Sequence, residues 1–156
     1  MTSSSRPATE RNHRCDRGHV HWGTAGASGV LFRSGDRFLL QHRASWVQEG
    51  GTWGIPGGAC AEGEDIVGGA LREAVEEGAL KGGLFLVATG AKVVTDNHGG
   101  WAFHTVVVDV PESWVPSGSQ DGETGRGGYR WVTRRQMRKM RLHSGFAATM
   151  NVTTNV

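Results

Sequence analysis

Gly57-Gly58-Ala59-Cys60-Ala61-Glu62-Gly63-Glu64, followed after seven intervening residues by Arg72-Glu73-Ala74-Val75-Glu76-Glu77, sets the interpretation of the whole chain. Between and within these runs, Ile66, Val67, Ala70, Leu71, Ala74 and Val75 recur at steps of three and four. That is the period of a helix with one apolar stripe, so residues 65–77 are expected to be helical. Gly68 and Gly69 each weaken such a helix by up to about 1 kcal/mol against Ala, so packing must hold it. On this helix Glu73, Glu76 and Glu77 stand at i, i+3 and i+4 and share a face. Like charges so spaced oppose the helix by about 0.2–0.5 kcal/mol per pair. A solvated acidic face is one explanation for tolerating this cost. A hard divalent cation is the other, because it takes oxygen ligands and removes the repulsion. Arg72, four residues before Glu76, is placed to orient a carboxylate. The glycines ahead of the helix let backbone groups reach a ligand that side chains would screen.

Working outward, residues 48–58 are dense in Gly and carry Trp53, Ile55 and Pro56, which suggests a loop with a short strand inside it. Residues 26–32, with Val30, Leu31 and Phe32, look like a strand. Ser34-Gly35-Asp36 is a turn signal, and residues 37–42 complete a hairpin. Past the helix, residues 84–94 and 101–110 are strand candidates around Asp96-Asn97-His98-Gly99-Gly100. Residues 111–127 are expected to be a long polar loop, 129–132 a last short strand and 134–141 a basic helix. Strands on both sides of one helix imply an α+β or α/β sandwich with a mixed sheet.

The 156 residues suit one domain with a sizeable core. Apolar and charged shares of 37% and 21% are ordinary for a globular protein. Glycine, at 25 residues, is roughly double its usual ~7% share, so many tight turns are expected. A net charge of +2 gives no case for a stable nucleic-acid complex. No apolar run approaches a membrane span, and residues at the start lack the apolar core of a secretory signal. Two cysteines make no disulfide framework, which fits a cytoplasmic location. Residues 1–18 are polar and lack apolar periodicity; they are expected to be a flexible tail ahead of a domain at 19–156.

The central segment resembles the Nudix box, G-x5-E-x7-R-E-U-x-E-E-x-G-U, where U is a bulky apolar residue. Gly58, Glu64, Arg72, Glu73, Glu76, Glu77 and Leu80 fall on its register. At about 5–7% usage per residue type, six exact matches arise by chance in well under about one chain per thousand. Ala79 stands where the pattern has its last glycine, with Gly78 one place early, so the helix is expected to end differently. Trp53-Gly54-Ile55-Pro56 and Leu39-Leu40-Gln41-His42-Arg43 are similar to the lead-in and second strand of MutT-like members, and Tyr129-Arg130-Trp131-Val132 is a weaker echo.

The resemblance implies an α/β/α sandwich with a central mixed sheet and a loop-helix-loop site. It implies Mg²⁺-dependent hydrolysis, with Mn²⁺ as a substitute, of a nucleoside diphosphate linked to another group, foremost a (d)NTP. ADP-ribose, a dinucleotide or a nucleotide sugar is the alternative substrate, and a non-catalytic nucleotide-binding module the alternative function. Carried over, the catalytic set is Glu73, Glu76 and Arg72. Glu73, Glu76, Glu77 and the Gly57 carbonyl hold metal, and Glu64 supports them. The base is Glu76 or Glu73, with Glu123 of the late loop in reserve beside Asp121. Arg43 and Gly58 are the substrate contacts, the partner is a small nucleotide, and a homodimer is the assembly that small members of the family suggest.

Other signals carry less. His13, Cys15, His19 and His21 cluster near the start, yet lack close paired spacings such as C-x2-C and lie in a presumed tail without a scaffold. Loosely packed residues are the expected outcome there. The run Arg134, Arg135, Arg138, Lys139 and Arg141 is expected to be a solvated face able to steer anions. Cys60 is expected to be a small core residue. Among Trp22, Trp46 and Trp101, core or rim packing is expected before stacking on a base.

Overall fold

In a computed structural model, residues 12–22, 25–76, 91–112 and 124–156 are described. Val30, Leu31 and Phe32 are consecutive and fully buried, which requires a strand covered on both faces. That strand, β3 (Ala27–Ser34), is central. It runs antiparallel to β4 (Arg37–Arg43) and parallel to β8 (Ala102–Asp109), and β8 pairs antiparallel with β7 (Lys92–Asn97). On its other side β4 pairs with β5 (Trp53–Gly54) and β9 (Thr124–Thr133), while β6 (Gly57–Ala59) pairs with the start of β3. Among the described residues the result is a seven-stranded mixed sheet.

Alternation along the strands splits the core in two. Val30, Phe32, Leu39, Val106 and Val108 face α1 (Ile66–Glu76), packing on its Ala70, Leu71 and Ala74. Leu31, Phe38, Leu40, Val107 and Val132 face the opposite way, onto Met137, Phe146 and Met150. These last belong to α2 (Arg134–Met137), α3 (Ser144–Ala147) and α4 (Met150–Thr153). The expected α/β/α sandwich is therefore present; among the described residues, α1 covers one face and three short helices the other.

Several boundaries differ from expectation. Of the supposed tail, residues 12–18 belong to a hairpin of β1 (Asn12–Arg14) and β2 (Val20–Trp22); residues 1–11 lie outside the described part. The glycine stretch contains strand β6, because Gly57 and Gly58 pair with Gly29 and Ser28. Residues 124–127, expected to be loop, are strand, because β4 supplies a partner. The basic segment is helical only over Arg134–Met137, entered through a capping box in which Thr133 and Gln136 exchange hydrogen bonds. Strand β7 continues through Asp96 and Asn97, moving the turn to residues 98–101. Among the described residues no helix is long and apolar enough to cross a membrane.

One close approach fixes where the site begins. A Cβ on Gly57 would fall on the Ser28 carbonyl oxygen and 2.7 Å from Gly29 Cα, backbone atoms that cannot rotate away. Gly57→Ala should therefore push β6 off β3 and destabilise the protein by about 1–3 kcal/mol or more. Chemical denaturation followed by tryptophan fluorescence reads this directly.

Candidate active site

Helix α1 presents Arg72, Glu73 and Glu76 beside the glycine strand β6, and the turn before the helix brings Glu64 to meet them. Arg72 Nε and Nη2 donate to the two Glu64 oxygens at 2.7 and 3.0 Å, a bidentate pair. Its Nη1 lies 3.1 Å from Glu73 Oε1 and 3.0 Å from Glu76 Oε1. One guanidinium thus binds three carboxylates, a task suited to a planar fork and not to a lysine. Glu64 Oε1 also accepts the Ala61 N–H at 3.0 Å, which closes the turn before the helix.

Two glycines make room for the carboxylates. A Cβ on Gly58 would stand 2.6 Å from the Glu73 carboxylate, and one on Gly69 would stand 2.8 Å from Glu64 Oε1. Gly69, one of the two glycines that cost α1 helix propensity, is thereby the one that admits Glu64.

Charge is unevenly served. The hydrogen bonds from Arg72 hold the Glu64 carboxyl below the usual range and keep the guanidinium firmly protonated. Burial raises Glu73 above the usual range, outweighing its attraction to Arg72. The Glu73 side chain is only 14% exposed, against 56% for Glu76. Three carboxylates share one guanidinium, and a cluster of oxygen donors with net negative charge is what a hard divalent cation suits. The residues present fit such an ion, with Glu73 and Glu76 as donors.

The remaining candidates are placed as follows. Gly58 lies in β6 over Glu73, and Gly57 precedes it on the same strand. Arg43 ends β4, where its Nε and Nη2 both donate to the Gln48 carbonyl at 3.0 and 2.8 Å, so it braces its own loop. Cys60 is buried, which pushes its thiol up, as befits a packed residue. Trp101 is buried, stacked at 3.6 Å on His21, whereas Trp46 is 75% exposed. Glu77, Gly78, Ala79, Leu80, Asp121 and Glu123 lie outside the described residues.

The NUDIX domain model matches residues 23–150, most of the chain. This chain belongs to the Nudix family. A Nudix hydrolase of Mycobacterium smegmatis, RenU, superposes with a TM-score of 0.71 at 31% identity, covering 90% of each chain. In sequence the chain is 42% identical over 118 residues to a Bifidobacterium longum nucleoside triphosphate pyrophosphatase/Nudix hydrolase fusion protein, covering 70% of this chain. It is 38% identical over 148 residues to a Mycobacterium tuberculosis protein named "Putative 8-oxo-dGTP diphosphatase 3", covering 86% of this chain. The matches span 24% and 64% of those two relatives' own lengths. Within the matched region, in the segment from Gly58 through α1, Glu64, Glu73 and Glu76 converge on Arg72.

Two further features carry no local sequence signal. Glu49, at φ 53°, accepts the Ser144 N–H and Oγ–H at 2.8 Å each and ties the loop after β4 to α3. His98, in the β7–β8 turn, meets the histidines of the N-terminal hairpin. Neither contact has a local signal, because each joins residues far apart in the chain.

Proposed function

We propose that this Nudix protein is a Mg²⁺-dependent pyrophosphohydrolase acting on nucleoside triphosphates. The observation that carries the reading is Arg72 holding Glu64, Glu73 and Glu76 together beneath Gly58, three carboxylates around one guanidinium. A pure nucleotide binder gains nothing from assembling three carboxylates at a site for a polyanion. Bound Mg²⁺ supplies charge neutralisation on the phosphates and lowers the pKa of a coordinated water.

The chain's own residues do the rest. Glu73 and Glu76 hold the ion, joined by Glu77 and the Gly57 carbonyl. Glu64 keeps Arg72 in register, and Arg72 keeps both ligand carboxylates pointing to one place. Glu76, the more open of the two, is the preferred base to take the proton of the attacking water; Glu73 is the second choice and Glu123 the third. The bond broken is the P–O–P bridge, giving a nucleoside monophosphate and pyrophosphate. Gly58 lets the Glu73 carboxylate lie against the β6 backbone where the phosphates would approach, and Arg43 reaches them if the Gln48 carbonyl releases it.

The triphosphate preference is supported by the name of the Mycobacterium tuberculosis relative, which refers to 8-oxo-dGTP, a nucleoside triphosphate. Comparing kcat/KM for dNTPs, NTPs, 8-oxo-dGTP, ADP-ribose and nucleotide sugars tests it. Triphosphates should be the preferred class, with pyrophosphate among the products. Preference for ADP-ribose or a nucleotide sugar would replace the substrate assignment and leave the hydrolase.

A further inference from the structure

We propose that Cys15, His19, His21 and His98 form a structural zinc site that fastens the N-terminal hairpin to the β7–β8 turn, separate from the Nudix box. Each residue offers one ligand atom, and the four atoms lie within 4.8 Å of one another. His21 Nε2 is 3.2 Å from His98 Nδ1, and Cys15 Sγ is 3.9 Å from the same nitrogen. Zn–N and Zn–S bonds of about 2.0 and 2.3 Å at a tetrahedral centre place neighbouring ligand atoms about 3.3–3.6 Å apart. The cluster needs only small movements to close on an ion.

The surroundings are arranged as a metal site requires. His98 Nε2 lies 2.8 Å from Asp96 Oδ2. With the ring's proton directed to Asp96, Nδ1 turns its lone pair toward the other three ligands, the tautomer that a metal-bound histidine uses. His21 is fixed by stacking on Trp101, their planes 3° apart. Cys15 is 4% exposed although Arg14, Asp16, Arg17, Gly18, His19 and Val20 around it are all exposed. The turn presenting Cys15 and His19 is closed by Cys15 N–H to His19 O and Gly18 N–H to Cys15 O, both 2.9 Å. It docks through Asp16 N–H to Gly99 O at 2.9 Å and Arg17 to the Asn97 carbonyl at 2.9 Å.

The hairpin's strands are three residues each and form a separate two-stranded sheet. Two isolated strands of that length are marginal in water without a core, a disulfide or a metal. One thiolate and three imidazoles select a borderline-soft tetrahedral ion, which is Zn²⁺ and not the Mg²⁺ expected at the carboxylates. Four protein ligands leave no open position, so the role is structural.

The test is elemental analysis of the full chain, purified without a histidine tag and gel-filtered into metal-free buffer. One zinc per chain is expected in the wild type and in Glu73→Gln/Glu76→Gln, falling to background in Cys15→Ala/His98→Ala. Wild-type protein that neither carries nor takes up zinc overturns the proposal, as does equal zinc in the Cys15→Ala/His98→Ala variant. Should that variant fail to fold, Co²⁺ added to metal-free wild type decides the matter. Intense tetrahedral ligand-field bands with a thiolate charge-transfer band support the site, and the pale spectrum of octahedral Co²⁺ rejects it.

Discussion

Glu76→Gln lowers kcat for triphosphate hydrolysis by about 10²–10⁴-fold, the contribution typical of a positioned general base. Glutamine keeps the size of the side chain and its hydrogen bond to Arg72 but holds neither a proton from water nor a cation. Glu76 is largely exposed and packs on nothing in the core, so stability should change by no more than about 0.5 kcal/mol. The same glutamine change at Glu73 should lower turnover comparably while acting on a group that Gly58 walls in. Steady-state kinetics with a parallel thermal melt separates the two effects. Loss of activity together with collapse of the fold would mean that Glu76 is structural.

Arg72→Ala is expected to lose both activity and stability. The change strips the shared cation from Glu64, Glu73 and Glu76, leaving three carboxylates facing one another. Removing one partner of a buried ion pair costs about 3–5 kcal/mol. Because 35% of the Arg72 side chain remains in solvent, about 2–3 kcal/mol is the expected loss. Arg72→Lys should recover little, since an ammonium cannot bind Glu64 in a bidentate manner and still reach Glu76. Denaturant unfolding gives the stability, and kcat at saturating substrate gives the effect on carboxylate placement. An alanine variant with wild-type stability would show the network to be solvent-screened.

What could be read from the sequence follows the range of each interaction. Helix α1 was legible because Ile66, Val67, Ala70, Leu71 and Ala74 repeat at the helical period, and the core lies along that stripe. Strands β3, β4 and β8 were legible because their apolar runs are long enough to be covered on both faces. The register of Glu64, Arg72, Glu73 and Glu76 was legible because the contacts close within twelve residues. Strand β6 was hidden by its composition, since Gly57 and Gly58 have poor strand propensity and pair only because β3 offers Ser28 and Gly29. The glycine-rich start of β9 was hidden for the same reason, with β4 as the partner. Helices α3 and α4 are four residues each, too short for periodicity to register, although they carry Phe146 and Met150 into the second core. His98 joins Cys15 from 83 residues away, a distance that no spacing rule spans.

The central claim is that the Arg72-centred carboxylates form a working hydrolytic site, and a magnesium titration of turnover addresses it most directly. Metal-depleted protein is incubated with dGTP across a range of Mg²⁺, and the products are resolved by anion-exchange chromatography. The geometry predicts dGMP and pyrophosphate only when Mg²⁺ is present, and at least about 10²-fold slower formation of both by Glu76→Gln under the same conditions. Binding of dGTP by calorimetry without cleavage at any Mg²⁺ concentration would contradict it and make the box a nucleotide-binding site alone.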